Sequence, residues 1–146
     1  MDFSSKSRTL QNLIGKLSSA SIAPLHIFTV KEWREDFSRC IHNLHDLIGP
    51  SPWIVRSSSI LEDCALHSNA GAFRSILDVE VSDLKNAVED VIDSYSDAAD
   101  NDEILIQPML SNVVLSGVAF SHDPNTYSPY RMVNWADGGN TTEVTS

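Results

Sequence analysis

An apolar tripeptide, Trp53-Ile54-Val55, ends on a permanent cation and three consecutive hydroxyls, Arg56-Ser57-Ser58-Ser59. No other stretch constrains the architecture more. A run so short and apolar reads as a buried strand, and that strand hands an arginine to a polar segment. The strand is predicted over 53–56, with a long polar loop over 57–70. A small-residue turn, Ala70-Gly71-Ala72, then leads into a further strand over 71–81, bent near the glycine. The layout suits the gripping of a polyphosphate. Arginine offers a planar charged fork, hydroxyls offer short hydrogen bonds, and glycine lets backbone amides approach an anion. The plainer reading is a surface arginine beside an ordinary serine loop.

The elements around this block mix helices and strands without strict alternation. Leu10, Leu13, Ile14 and Leu17 recur at helical spacing and predict a first helix over 5–19. A strand follows over 26–30. Thr29 with Glu32 has the form of a capping box, and behind it Trp33, Phe37, Ile41, Leu44 and Ile48 line one helical face. Gly49-Pro50-Ser51-Pro52 stops that helix. Ser82 is a candidate N-cap for a third helix, whose apolar face is Leu84, Val88, Val91, Ile92 and Tyr95. Asp93, Asp97, Asp100 and Asp102 read as a solvated end.

The remainder is strand-rich. Glu103 to Leu110 reads as a buried strand with Pro108 at its edge or end. Ser111-Asn112 is short enough for a hairpin turn into a strand over 113–121, where Ser116-Gly117 predicts a bulge or a close backbone approach. A last strand is predicted over 130–135. About three helices and a mixed, largely antiparallel sheet make the fold class α+β. One domain over 1–146 is expected, divided into a first part over 1–100 and a strand-rich part over 101–146.

Composition narrows the function. Twenty acidic residues against ten basic ones give a formal net charge of −10, which disfavours a nucleic-acid or anionic-membrane surface. No run approaches a membrane span, and the N-terminus lacks a secretory h-region. Cys40 and Cys64 lie far apart, so a reduced, cytoplasmic chain is the expectation. His42 and His45 share a helix without further metal ligands nearby, and His67 reads as a solvent-exposed loop residue. No conventional phosphate loop, dinucleotide fingerprint or paired-cysteine zinc site occurs.

The order of blocks carries a resemblance. Lys6 opens the first helix; Ala23-Pro24-Leu25-His26-Ile27-Phe28-Thr29-Val30, Val55-Arg56-Ser57-Ser58, Ala70-Gly71-Ala72 and Ile104-Leu105-Ile106-Gln107-Pro108-Met109 follow. The last block is Ser116-Gly117-Val118-Ala119-Phe120-Ser121-His122-Asp123-Pro124-Asn125-Thr126. The set resembles the N-terminal ATP-binding domain of the phosphoenolpyruvate synthase and pyruvate phosphate dikinase family over nearly the whole chain. The resemblance implies an ATP-grasp-like nucleotide cleft binding ATP with Mg2+. Lys6, Arg56 and the turn Ala70, Gly71 and Ala72 would hold phosphates. Gln107 and Met109 would read and sandwich the adenine. It also implies a kinase-type transferase that passes phosphoryl groups from ATP to a histidine on another domain, with a phosphoenolpyruvate- or pyruvate-binding domain as further partner.

Three departures stand out. Tyr127 occupies the family's glycine position. Tyr130 or Arg131 stands where an acidic metal ligand is usual, leaving Asn134, Asp137 and Glu143 as candidate magnesium ligands. The sequence stops at Val144-Thr145-Ser146, inside a family block, so it reads as a fragment that is not expected to be active alone. A degenerate, non-catalytic copy of the fold, serving as an interaction module, is the rival reading.

Overall fold

The computed structural model describes residues 5–59, 74–95, 98–123 and 126–138. The chain divides into two units, 1–109 and 110–146. The first unit is built on a four-stranded sheet. In chain order its elements are α1 (Lys6–Leu13), β1 (His26–Thr29), α2 (Val30–Ile41), α3 (Leu44–Ile48), β2 (Trp53–Ser58), β3 (Ser75–Val79), α4 (Leu84–Asp93) and β4 (Glu103–Pro108). The sheet order is β1-β4-β2-β3, and every neighbouring pair is antiparallel. The fold is therefore α+β, with four helices among the described residues.

Alternation along the strands separates two faces. One carries Phe28, Trp53, Val55, Ile104 and Ile106, and helices α2, α3 and α4 close over it. Val55, Val88, Val91, Ile104 and Ile106 are fully buried there. Trp33 stacks on Phe28 with ring centroids 5.5 Å apart. The apolar periodicity of α4 supplies Leu84, Val88, Val91 and Ile92 to this core.

The capping box forms as the sequence implies. Thr29 Oγ1 accepts from the Glu32 amide at 3.1 Å, and Glu32 Oε2 accepts from the Thr29 amide at 2.7 Å. Those hydrogen bonds hold the Glu32 carboxyl below the ordinary glutamate range. Two more first-turn amides of α2, Val30 and Lys31, donate to the carbonyls of Asp102 and Asp100. The acidic stretch thus satisfies donors that a helix start leaves open, and Asp102 is buried rather than solvated.

The helix expected to run from Trp33 to Ile48 is broken. Asp36 leaves helical geometry at φ −157, and its side chain caps the Arg39 amide at 3.1 Å, which restarts the helix. Asn43, in the left-handed region at φ 57, separates α2 from α3. Apolar spacing runs through both breaks because Leu44 and Ile48 still reach the core. The first helix ends earlier than its periodicity suggests, at Leu13, and α4 begins after Asp83 instead of Ser82. Strand β2 continues through Ser58, so Ser57 and Ser58 belong to the sheet and not to a loop. In β3 one extra residue lies between the partners of Trp53 and Val55, and Asp78 takes φ 54 beside it. This is a bulge; the bend expected near Gly71 lies outside the described residues.

The second unit contains a two-stranded antiparallel hairpin, β5 (Leu115–Phe120) with β6 (Met132–Asp137). β4 pairs with β1 and β2, so Ser111-Asn112 does not close a β4–β5 hairpin; β5 finds its partner in β6. The close approach at Gly117 is real. A Cβ there would lie 2.8 Å from the Asn134 carbonyl oxygen. The register across it is regular, without a bulge. Leu115, Val133 and Trp135 share one face of the hairpin and are exposed.

Candidate functional site

The second face of the four-stranded sheet has a different chemistry. Residues opposite one another in an antiparallel ladder project to the same side. Arg56 lies opposite Leu105 on β4 and Ser75 on β3. Ser58 lies opposite Glu103, and Ile54 opposite Gln107. Ile27, opposite Leu105, extends the same side onto β1. The result is a largely buried sheet face of Arg56, Ser58, Glu103 and Gln107 around an apolar strip of Ile27, Ile54 and Leu105. Leu105 is fully buried but stands outside the core cluster.

Arg56 is partly buried at the centre of this face. Its Nε is shielded from solvent and has no hydrogen-bond partner among the described residues. The ion pairs seen among those residues do not include it. Buried donors are normally paired, and leaving one open costs about 1–3 kcal/mol. A central-strand guanidinium with no carboxylate partner among the described residues, in a chain of net charge −10, is suited to an anion.

The first turn of α1 sits on the same face. Ser5 caps the helix, and its hydroxyl donates to Glu103 Oε2 at 2.6 Å. The Ser7 hydroxyl donates to the same oxygen. Arg8 Nε donates to Glu103 Oε1 at 2.6 Å. Ser58 Oγ receives the Ser7 amide at 2.8 Å. Lys6, the first residue of α1, lies between these fastened serines and is partly buried.

Gln107 is buried, and its side-chain nitrogen donates to the Ala23 carbonyl at 3.5 Å. Met109 follows the end of β4, and its amide donates to the Pro52 carbonyl at 2.9 Å. That amide is engaged within the sheet and is not open to an adenine edge. Ala70, Gly71, Ala72 and Glu143 lie outside the described residues, as does His67.

Asn134 and Asp137 do not converge. They are three residues apart on β6, which places them on opposite faces of the strand, and both are exposed. Among the described residues no cluster of three or more histidine, cysteine or acidic side chains could hold a metal ion. The residues described therefore do not form a magnesium cage. A nucleotide's own phosphates can bring that ion with them.

Cys40 is buried, and burial pushes its thiol up, with Glu32 and Asp36 adding to the shift and Arg39 opposing it. Such a thiol is a core residue rather than a nucleophile. No helix among the described residues is long and apolar enough to cross a membrane.

Sequence reasoning named Arg56 and Gln107, which the sheet places on one face, but missed Glu103, Ser5, Ser7 and Arg8. The available signal was Glu103 itself, a lone charge opening an otherwise apolar strand. Comparison with protein-family models, with curated proteins and with solved structures gives no significant match.

Proposed function

We propose that the chain is an ATP-grasp-like, Mg-ATP-binding part of a phosphotransferase resembling phosphoenolpyruvate synthase. Arg56 takes the nucleotide's phosphates, with Lys6 contributing from the first turn of α1. The observation that carries this reading is the buried Nε–H of Arg56 on the polar sheet face, which has no partner among the described residues. Ile54 and Ile27, both partly buried, supply apolar surface on the same face, and Gln107 supplies a polar edge. Magnesium enters on the phosphates. Transfer of phosphoryl groups to a histidine, and from there to an acceptor such as pyruvate, belongs to further domains. The cytoplasm is the compartment this chemistry suits.

The test is thermal. A ligand that binds only the folded state raises Tm as its concentration exceeds Kd. Mg-ATP is expected to raise the Tm of the wild-type chain, and Arg56→Ala is expected to abolish most of that rise while leaving the ligand-free Tm nearly unchanged. Equal shifts in both proteins would refute the assignment.

A second reading, a non-catalytic copy of the fold acting as an interaction module, is favoured by two observations. The Met109 amide is engaged by Pro52, and Asn134 and Asp137 point to opposite sides of β6. Absence of any shift with adenine or guanine nucleotides would select it.

A further inference from the structure

A carboxylate buried at the start of an interior strand needs compensation, and Glu103 receives it from one short segment. Glu103 is 7% exposed and accepts from Ser5, Ser7 and Arg8. Ser58, opposite Glu103 in the ladder, accepts the Ser7 amide and donates its own hydroxyl to Ser7 Oγ at 2.9 Å. Proton directions are consistent throughout: Ser58 donates to Ser7, and Ser5, Ser7 and Arg8 all donate to the carboxylate. The rung is also fixed from the opposite side of the sheet. The Tyr95 hydroxyl donates to the Glu103 carbonyl at 2.7 Å and accepts from the Ser58 amide at 3.0 Å.

Ser5 and Ser7 flank Lys6, and Ser58 is two residues from Arg56 on the same strand face. One rung therefore ties the helical turn that bears Lys6 to the strand that bears Arg56. We infer that Glu103 is a positioning residue of the nucleotide site, holding the first turn of α1 in register with Arg56. The inference rests on the nucleotide-binding reading above. A bare carboxylate beside phosphates would repel them; the Arg8 guanidinium on Oε1 offsets that charge, so the clamp and the anion site coexist on one face.

The test uses four proteins: wild type, Arg56→Ala, Glu103→Gln and the core variant Val88→Ala. Ligand-free Tm and Mg-ATP affinity are measured for each. Glutamine keeps the shape but sets an NH2 group against one of the three donors, so the turn loosens while the sheet persists. Glu103→Gln is expected to weaken Mg-ATP binding roughly tenfold, a loss of one decade in Kd. Val88→Ala is expected to lower Tm at least as far with Kd unchanged, which separates positioning from stability. If Glu103→Gln binds like wild type while Arg56→Ala does not, the positioning role falls and the nucleotide site stands. If Val88→Ala loses affinity equally, the effect is one of stability and the inference is overturned. If wild type binds no Mg-ATP, the functional reading fails and the inference fails with it.

Discussion

The two faces of the four-stranded sheet are made by the same strands and do opposite work. One is lined by Val55, Ile104 and Ile106, fully buried beneath α4 and α2. The other, one residue out of phase, presents Arg56, Glu103 and Gln107. The first face derives its stability from apolar burial, which needs no fixed partner geometry. The second relies on hydrogen bonds that hold only with every partner in place, and one donor of Arg56 has no partner there among the described residues. Apolar packing and polar bonding are thus separated by the two-residue period of a strand.

The largest effect that could break this comparison lies in the core. Ile106→Ala should cost about 2–5 kcal/mol of stability in denaturant unfolding. Leu105→Ala, equally buried but outside the core cluster, should cost distinctly less. Equal losses would mean that both faces are packed alike and that the polar face is ordinary interior. Tyr95→Phe comes next. It removes the hydroxyl joining the Ser58 amide to the Glu103 carbonyl, and two buried groups lose a partner at about 1–3 kcal/mol. A destabilisation within error would show that water replaces that hydroxyl freely.

A smaller effect is expected where β1 meets α2. Thr29→Ala should cost about 1 kcal/mol through loss of the cap. The pH dependence there has a definite sign. The folded Glu32 carboxyl titrates below its unfolded value, so the unfolded chain binds more protons in that window. The contribution is complete above the unfolded value, about 4.3, and is lost as pH falls through the folded one. Glu32→Gln should flatten the acid limb of stability, and an unchanged limb would remove Glu32 from the account. The smallest stability change is predicted for Arg56→Met, within about 0.5 kcal/mol of wild type, because the open donor disappears with its charge. A loss above 2 kcal/mol would show that Arg56 is a structural residue.

Local signals were read correctly where local physics decides. Thr29 and Glu32 form the cap their spacing implies, the apolar face of α4 enters the core, and Gly117 marks a close strand approach. The breaks at Asp36 and Asn43 were hidden because the apolar spacing of Trp33, Leu44 and Ile48 continues through them. The pairing of β4 was hidden too, since Ser111-Asn112 permits a hairpin but cannot say which strand competes for the edge. The clamp on Glu103 was least legible. Its partners Ser5 and Ser7 stand 98 and 96 positions away in sequence, and no spacing rule reaches that far. The buried Ser57, Ser58 and Ser59 looked like a loop because hydroxyl runs usually are one.

The strand order has a consequence for biosynthesis. β4 is the last strand of its sheet to be made, yet it lies between β1 and β2, which leave the ribosome long before it. Until it emerges, neither earlier strand has its central neighbour and α1 has no carboxylate to dock on. Nascent chains stalled with residues 103–108 still inside the exit tunnel should be readily cleaved by protease, and those with the segment released should resist. Translation therefore closes this sheet from its middle, and late.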